Sequence, residues 1–181
     1  MPDFQSSSEL APEIPGTGID ITSSSVAGLR RAMAVGGLTA TGLAQRCMDR
    51  IAAVNPALGA VIAVTPDALD QAAASDAAVR AGRPRGPLEG IPVLVKDNVQ
   101  VAGAPATAGS PALLGARPPD AFIVSRLREA GAIVLAKANM SEWANFRSTR
   151  STSGWSTLGG QTANPYALDR NPSGSSSGSA A

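Results

Sequence analysis

The sequence contains no histidine and a single cysteine, Cys47. Without histidine, neither a Ser-His-Asp nor a Cys-His nucleophilic site can be assembled from this chain. A zinc centre of the usual histidine and cysteine type is excluded for the same reason. A lone cysteine forms no internal disulfide, which fits a reducing compartment. Cys47 falls in a helical pattern and reads as a small buried hydrophobe. Aromatic residues make up only 3% of the chain, too few for a base-stacking platform. The net charge of +1 leaves no electrostatic footprint for nucleic acid or an anionic membrane. No apolar run is long enough to span a bilayer. The opening MPDFQSSSELAPEIPG has no basic region followed by an apolar one, so it does not read as a secretory signal. The expectation is a cytoplasmic protein with no nucleic-acid or membrane partner, no metal and no cofactor.

The remaining composition is that of a globular chain: 44% apolar and 16% charged over 181 residues, enough for one domain with a core. Residues 1–24 are rich in Ser, Pro and Gly and are expected to be a loosely ordered lead-in. The domain proper is expected over 25–181. Ser25 predicts the cap of a helix from Val26 to about Val35, ended by Gly36 and Gly37. Thr39 or Thr41 caps the next helix, whose apolar stripe is Leu43, Cys47 and Ile51, and Asn55-Pro56 is expected to close it. A strand follows within Leu58 to Val64. Thr65 then caps an alanine-rich helix with Pro66 at its first position, running to about Ala81.

Gly86-Pro-Leu-Glu-Gly-Ile-Pro-Val-Leu-Val-Lys-Asp-Asn98 is the segment around which the chain is organised. The apolar run Val93-Leu94-Val95 predicts a strand buried on both faces. Lys96 leaves that strand. A poorly hydrated lysine loses affinity for its proton and becomes a base near neutral pH, whereas most lysines are solvated surface charges. Gly103 to Pro119 reads as loop. Asp120 predicts the cap of a helix through Ala130 with Ile123 and Leu127 inward, and Ala132 to Ala136 a second buried strand. Helix, glycine and apolar strand in this order indicate an α/β sheet covered on both faces. Lys137 also leaves a buried strand, and position alone does not rank it against Lys96. Ser141 is expected to cap a short helix over SEWANFRS.

The end of the chain, Asn171-Pro-Ser-Gly-Ser-Ser-Ser-Gly-Ser-Ala-Ala181, has the composition of a flexible linker. It also has what a tightly folded backbone needs if a substrate and a buried lysine are to approach it. The irregular stretch before it, STSGWSTLGGQTANPYALDR, favours function, because long irregular segments in compact domains often carry it.

Taken together, GPLEGIPVLVKDN, AGAIVLAKANMSEWANF, GWSTLGGQTANPY and NPSGSSSGSAA resemble the amidase signature family, from about Thr39 to the final residue. SEWANFRS and the GQTxNPY segment place the resemblance in its peptide-amidase-like branch. The resemblance implies the N-terminal part of an α/β/α fold around a central mixed sheet, so that 25–181 is a partial amidase domain. It implies hydrolysis of carbon–nitrogen amide bonds by a Ser–cisSer–Lys triad. Lys96 matches the family's lysine base. Ser175 matches the middle serine, which follows a non-proline cis peptide bond and relays the proton. Ser173 and Ser177 stand where many members have glycine. The family's nucleophile and oxyanion donors lie beyond the position of Ala181, so the 181 residues alone are expected to be inactive.

The implied substrate is a small-molecule or peptide amide. A second chain completing the sheet is an expected partner, since sheet edges and apolar helix faces are otherwise left open. Two other classes remain. One is a non-catalytic binding product. The other is the A-type component of an amidotransferase, against which SEWANFRS and GQTxNPY speak.

Overall fold

The computed structural model describes residues 18–181 and the backbone of Glu13–Ile14. Most of the expected lead-in 1–24 lies outside the described residues. Its last part pairs Glu13–Ile14 (β1) with Ile19–Asp20 (β2) in antiparallel fashion. The Asp20 carboxylate there accepts from the Thr22 N–H and the Thr22 and Ser23 hydroxyls.

The core is a mixed sheet of order β3-β5-β4, formed by Val61–Val64 (β3), Pro92–Lys96 (β4) and Ile133–Ala138 (β5). β5 is central, antiparallel to β3 and parallel to β4. Every residue of β5 is buried. Helices cover both faces. On one side Ala40–Leu58 (α2) and Ala68–Arg80 (α3) bury Ala40, Ala44, Ala68 and Ala72 against Ile133 and Leu135. On the other, Phe122–Glu129 (α4) sets Val124 against Val95 and Val134. Small alanine side chains let α2 and α3 pack closely against the sheet. The expected α/β class is what the chain adopts. Val26–Ala34 (α1) begins at Ser25, whose hydroxyl accepts from the Gly28 N–H at 3.1 Å.

Several local expectations are corrected. Pro56 does not close α2, which runs through it to Leu58 and ends at Gly59, left-handed at φ +59°. Asn55 instead grips Val61, accepting from its N–H and donating to its carbonyl. Thr65 does not cap α3, whose first residue is Ala68. Asp76 of α3 caps α2 from outside, accepting from the Ala40 and Thr41 N–H groups. Asp120 does not cap α4 either: its carboxylate accepts from the Ala102 N–H at 2.7 Å and pairs with Arg128 at 3.1 Å. Ile123 faces outward at 59% exposure, and Val124 is the inward residue. β4 is not buried on both faces. Val95 packs toward α4, while Leu94, 43% exposed, points into an apolar groove of about 500 Å³ shared with Ile51, Val54 and Leu135.

Glu89 fixes the loop before β4. Its buried carboxylate accepts from the Ser75 hydroxyl at 2.6 Å and from the Arg85 guanidinium at 2.6 Å. Burial acts to raise its pKa, but the Arg85 and Ser75 hydrogen bonds prevail and hold it below the ordinary glutamate value.

Candidate active site

The parallel strands β4 and β5 end on the same side of the sheet. The crevice outside the carboxyl ends of strands is where open α/β sheets bind ligands. Lys96 is the last residue of β4 and is half-buried. Its Nζ donates to Ser175 Oγ at 2.9 Å and to Ser176 Oγ at 2.9 Å. Lys96 and Ser175, the residues matched through the resemblance, are thus brought together across 79 positions of sequence. Burial pushes the Lys96 amine below the ordinary lysine value. No carboxylate pairs with it among the described residues.

The serine-rich end is folded, not a linker. The Gly174–Ser175 peptide bond is cis, and Ser173 is left-handed at φ +64°. Ser173, which the resemblance sets where many members have glycine, adopts a conformation that glycine favours. Ser177 is fully buried, and its hydroxyl donates to the Ser173 carbonyl at 2.7 Å, a bond that glycine there would not make. Ser177–Ala180 (α5) follows. Two contacts tie this turn to the end of β5: Ser141 N–H donates to Ser175 O at 3.1 Å, and Gly178 N–H to Asn139 O at 2.9 Å. A Cβ on Gly178 would come 2.0 Å from the Ala60 carbonyl oxygen, so only glycine fits there.

Lys137 is separated from Lys96 by its surroundings. It lies inside β5 rather than leaving it and is 1% exposed. Its Nζ donates to Val99 O at 2.6 Å and lies 3.7 Å from Asp97 Oδ1. Burial pushes its pKa down, against the opposing pull of Asp97. Asp97, also 1% exposed, accepts from the Thr107 hydroxyl and the Gly109 N–H. This pair braces the turn that follows Lys96 and does not reach the serines.

The sequence reading assigned no role to Ser176, Asp97 or Asn139. Asn139 is fully buried and joins three segments. Its amide donates to Gly59 O and Thr162 Oγ1, both at 3.0 Å, and its oxygen accepts from Ser156 Oγ at 2.7 Å and Met140 N at 2.8 Å. It thereby fastens the hairpin of Trp155–Ser156 (β6) and Gly160–Gln161 (β7) beside the site. Asp97 had a sequence signal, an acid directly after an apolar strand. Asn139 had none, because its partners are distant in sequence.

The segment after Ser141 is not the expected capped helix. Glu142–Asn145 is a 3₁₀ turn in which Trp143, Ala144 and Asn145 are all left-handed, at φ 50°, 54° and 70°. The Ser141 hydroxyl accepts instead from the Gly154 N–H at 2.8 Å.

A family model described as Amidase matches residues 43–181. The native peptide amidase of Stenotrophomonas maltophilia superposes with a TM-score of 0.85 at 54% identity, covering 87% of this chain and 33% of that one. A peptide amidase in complex with the competitive inhibitor chymostatin matches with the same TM-score and identity. The A-type component of the glutamyl-tRNA(Gln) amidotransferase of Salinispora arenicola is 48% identical over 164 residues, 90% of this chain and 32% of that protein. The chain spans about a third of the length of each of these relatives.

Proposed function

Because the chain belongs to the amidase signature family, we propose that it carries the base and relay of an amide-hydrolysing site, with Lys96 as base and Ser175 as relay. The observation that carries this reading is the 2.9 Å contact between Lys96 Nζ and Ser175 Oγ, made by an amine that burial drives toward its neutral form. A serine hydroxyl is a weak nucleophile and needs a base. With no histidine in the chain, a desolvated lysine fills that role.

In this mechanism neutral Lys96 accepts the Ser175 hydroxyl proton, and Ser175 Oγ takes the proton of the attacking hydroxyl as its oxygen bonds to the amide carbon. Carbon–nitrogen cleavage then expels the amine, which receives the proton back through Ser175, and water, deprotonated through the same relay, attacks the acyl carbon, releasing the carboxylic acid and returning the proton to the attacking hydroxyl. Ser176, also 2.9 Å from Nζ, holds the amine in line. No residue of 1–181 is assigned as nucleophile or oxyanion donor. Those groups supply much of the rate in acyl transfer, so the 181 residues alone are expected to be inactive. The substrate class we infer is a peptide or small carboxamide, supported by the 54% identity to peptide amidases.

The 48% identity to the A-type component of an amidotransferase favours one second reading, in which the released ammonia is passed on to another substrate. The test is ammonia release from N-acetylated peptide amides. It is run on the 181 residues and on the protein extended by any coding sequence that continues beyond Ala181. Release by the extended form, abolished by Lys96→Ala, is the expected result. Release that persists in Lys96→Ala overturns the assignment of the base. Amide cleavage only when an ammonia acceptor is supplied, with the nitrogen recovered in the acceptor, favours the amidotransferase reading.

A further inference from the structure

Ser175 and Ser176 each place an oxygen 2.9 Å from Lys96 Nζ, while Ser177, the next residue, is bonded elsewhere. Ser173, Ser176 and Ser179 are exposed and Ser175 is half-buried, whereas Ser177 is fully buried. Burying a hydroxyl is costly unless it is hydrogen-bonded. The Ser177 hydroxyl makes its bond to the Ser173 carbonyl, four positions back. That bond closes residues 173–177 into a loop, and the two serines that meet the amine lie inside it.

The loop needs this closure. Ser173 is left-handed at φ +64°, where a non-glycine residue persists only if its surroundings over-determine it. It is held on both sides. Its N–H donates to Asn171 Oδ1 at 3.0 Å, and its carbonyl accepts from Ser177 Oγ at 2.7 Å. Gly174 is packed between two hydroxyls, so that a Cβ there would come 2.5 Å from Ser141 Oγ and 2.8 Å from Ser177 Oγ. On the far side of Gly174, the Ser175 carbonyl accepts from the Ser141 N–H. Ser175 is therefore fixed from β5 at its carbonyl and from Ser177 through the two residues before it. Without the Ser177 hydroxyl, Ser173 loses one of the two bonds that keep it left-handed, and Gly174 gains room to move. The loop then relaxes, and the oxygens of Ser175 and Ser176 leave the amine.

We propose that Ser177 is a positioning residue: through the Ser173 carbonyl it holds Ser175 and Ser176 on Lys96, and it is needed because residue 173 is a serine. A glycine at 173 reaches positive φ without steric cost, so the loop would keep its shape without the hydroxyl. Burial is what lowers the Lys96 pKa, so a loop that opens to water returns it toward the ordinary lysine value. That the geometry serves proton relay rests on the amide-hydrolysis reading; the geometry itself does not.

The test reads the lysine first. The sequence has lysine at positions 96 and 137 and nowhere else, so NMR of isotopically labelled lysine follows both. The partners of Lys137, Val99 and Asp97, lie outside the serine turn, which makes it an internal reference. In Ser177→Ala of the 181 residues, the proton affinity of Lys96 should rise at least about threefold while that of Lys137 stays put. Adding Ser173→Gly should return Lys96 to its parent value. A loss of stability in urea with no change at Lys96, a change at both lysines, or no recovery in the double variant would overturn the positioning role and leave Ser177 a purely structural residue. On the extended protein, kcat for N-acetylated peptide amides should fall about tenfold in Ser177→Ala with little change in KM, and should recover in the double variant. An unchanged kcat would also overturn the role. The expected Lys96 shift and recovery, in a protein that releases ammonia from no amide, would leave the positioning role standing and refute the amidase reading instead.

Discussion

Lys137 and Asp97 each have 1% of their surface exposed and meet at 3.7 Å, directly behind the turn that follows Lys96. Breaking a buried pair by removing one partner typically costs about 3–5 kcal/mol, because a charge is left stranded. Lys137→Met leaves the Asp97 carboxylate with two donors, Thr107 Oγ1 and Gly109 N, so its cost should fall near the lower end, about 3 kcal/mol. Asp97→Asn leaves Lys137 with only the Val99 carbonyl as a described partner. Burial already lowers the Lys137 pKa, and losing the carboxylate lowers it further. A folded-state lysine pKa below the unfolded value means that the unfolded chain binds more protons in between. Stability of Asp97→Asn should therefore rise with pH through that window.

The double variant strands no charge. It should be less destabilised than the sum of the single variants by at least about 2 kcal/mol. Urea unfolding of the four proteins at pH 7, with Asp97→Asn repeated at higher pH, measures all of this. Additivity within about 0.5 kcal/mol would refute the reasoning and show that the two charges do not depend on each other.

Other consequences are as direct. The ionisation of Lys96, followed by NMR of its Nζ or from the acid limb of kcat/KM, should fall below the ordinary lysine value of 10.5, with activity rising as pH increases through it; a value at or above 10.5 would remove Lys96 as the base. Asn139→Ala removes one hydrogen bond each from Met140 N, Ser156 Oγ, Gly59 O and Thr162 Oγ1 and should cost about 4 kcal/mol in urea unfolding, at about 1 kcal/mol per lost bond. Gly178→Ala drives a Cβ into the Ala60 carbonyl and should disrupt the serine turn, read as loss of the Lys96–Ser175 contact by NMR. Glu89 titrates below its ordinary value of 4.5 when folded, so its stabilisation is complete above the unfolded value and is lost as pH falls through the folded one. Glu89→Gln should cost about 2–3 kcal/mol at pH 7 and flatten the loss of stability at acid pH.

Sequence alone determined the local elements whose physics is local. Apolar runs marked β4 and β5, Ser25 marked the start of one helix and Thr39 or Thr41 that of the next, of which the structure uses Thr39, and the lack of histidine excluded a histidine base. Lys96 and Ser175 were legible only as members of a motif, since a lysine at a strand end and a serine in a glycine-rich run each have a bland alternative. Tertiary structure decided what depends on distant partners. It separated Lys96 from Lys137, because one amine reaches serines and the other is enclosed by Asp97 and Val99. It took Asp120 and Ser141 away from helix caps and gave their oxygens to backbone N–H groups elsewhere. It turned Trp143–Asn145 left-handed, which no propensity of Trp, Ala or Asn in a helical register would suggest, because contacts to Ala108, Ser151 and Ser153 outweigh the local cost. It made Asn139 the hub of three segments, since a buried amide is worth retaining only where the fold brings every one of its partners within reach.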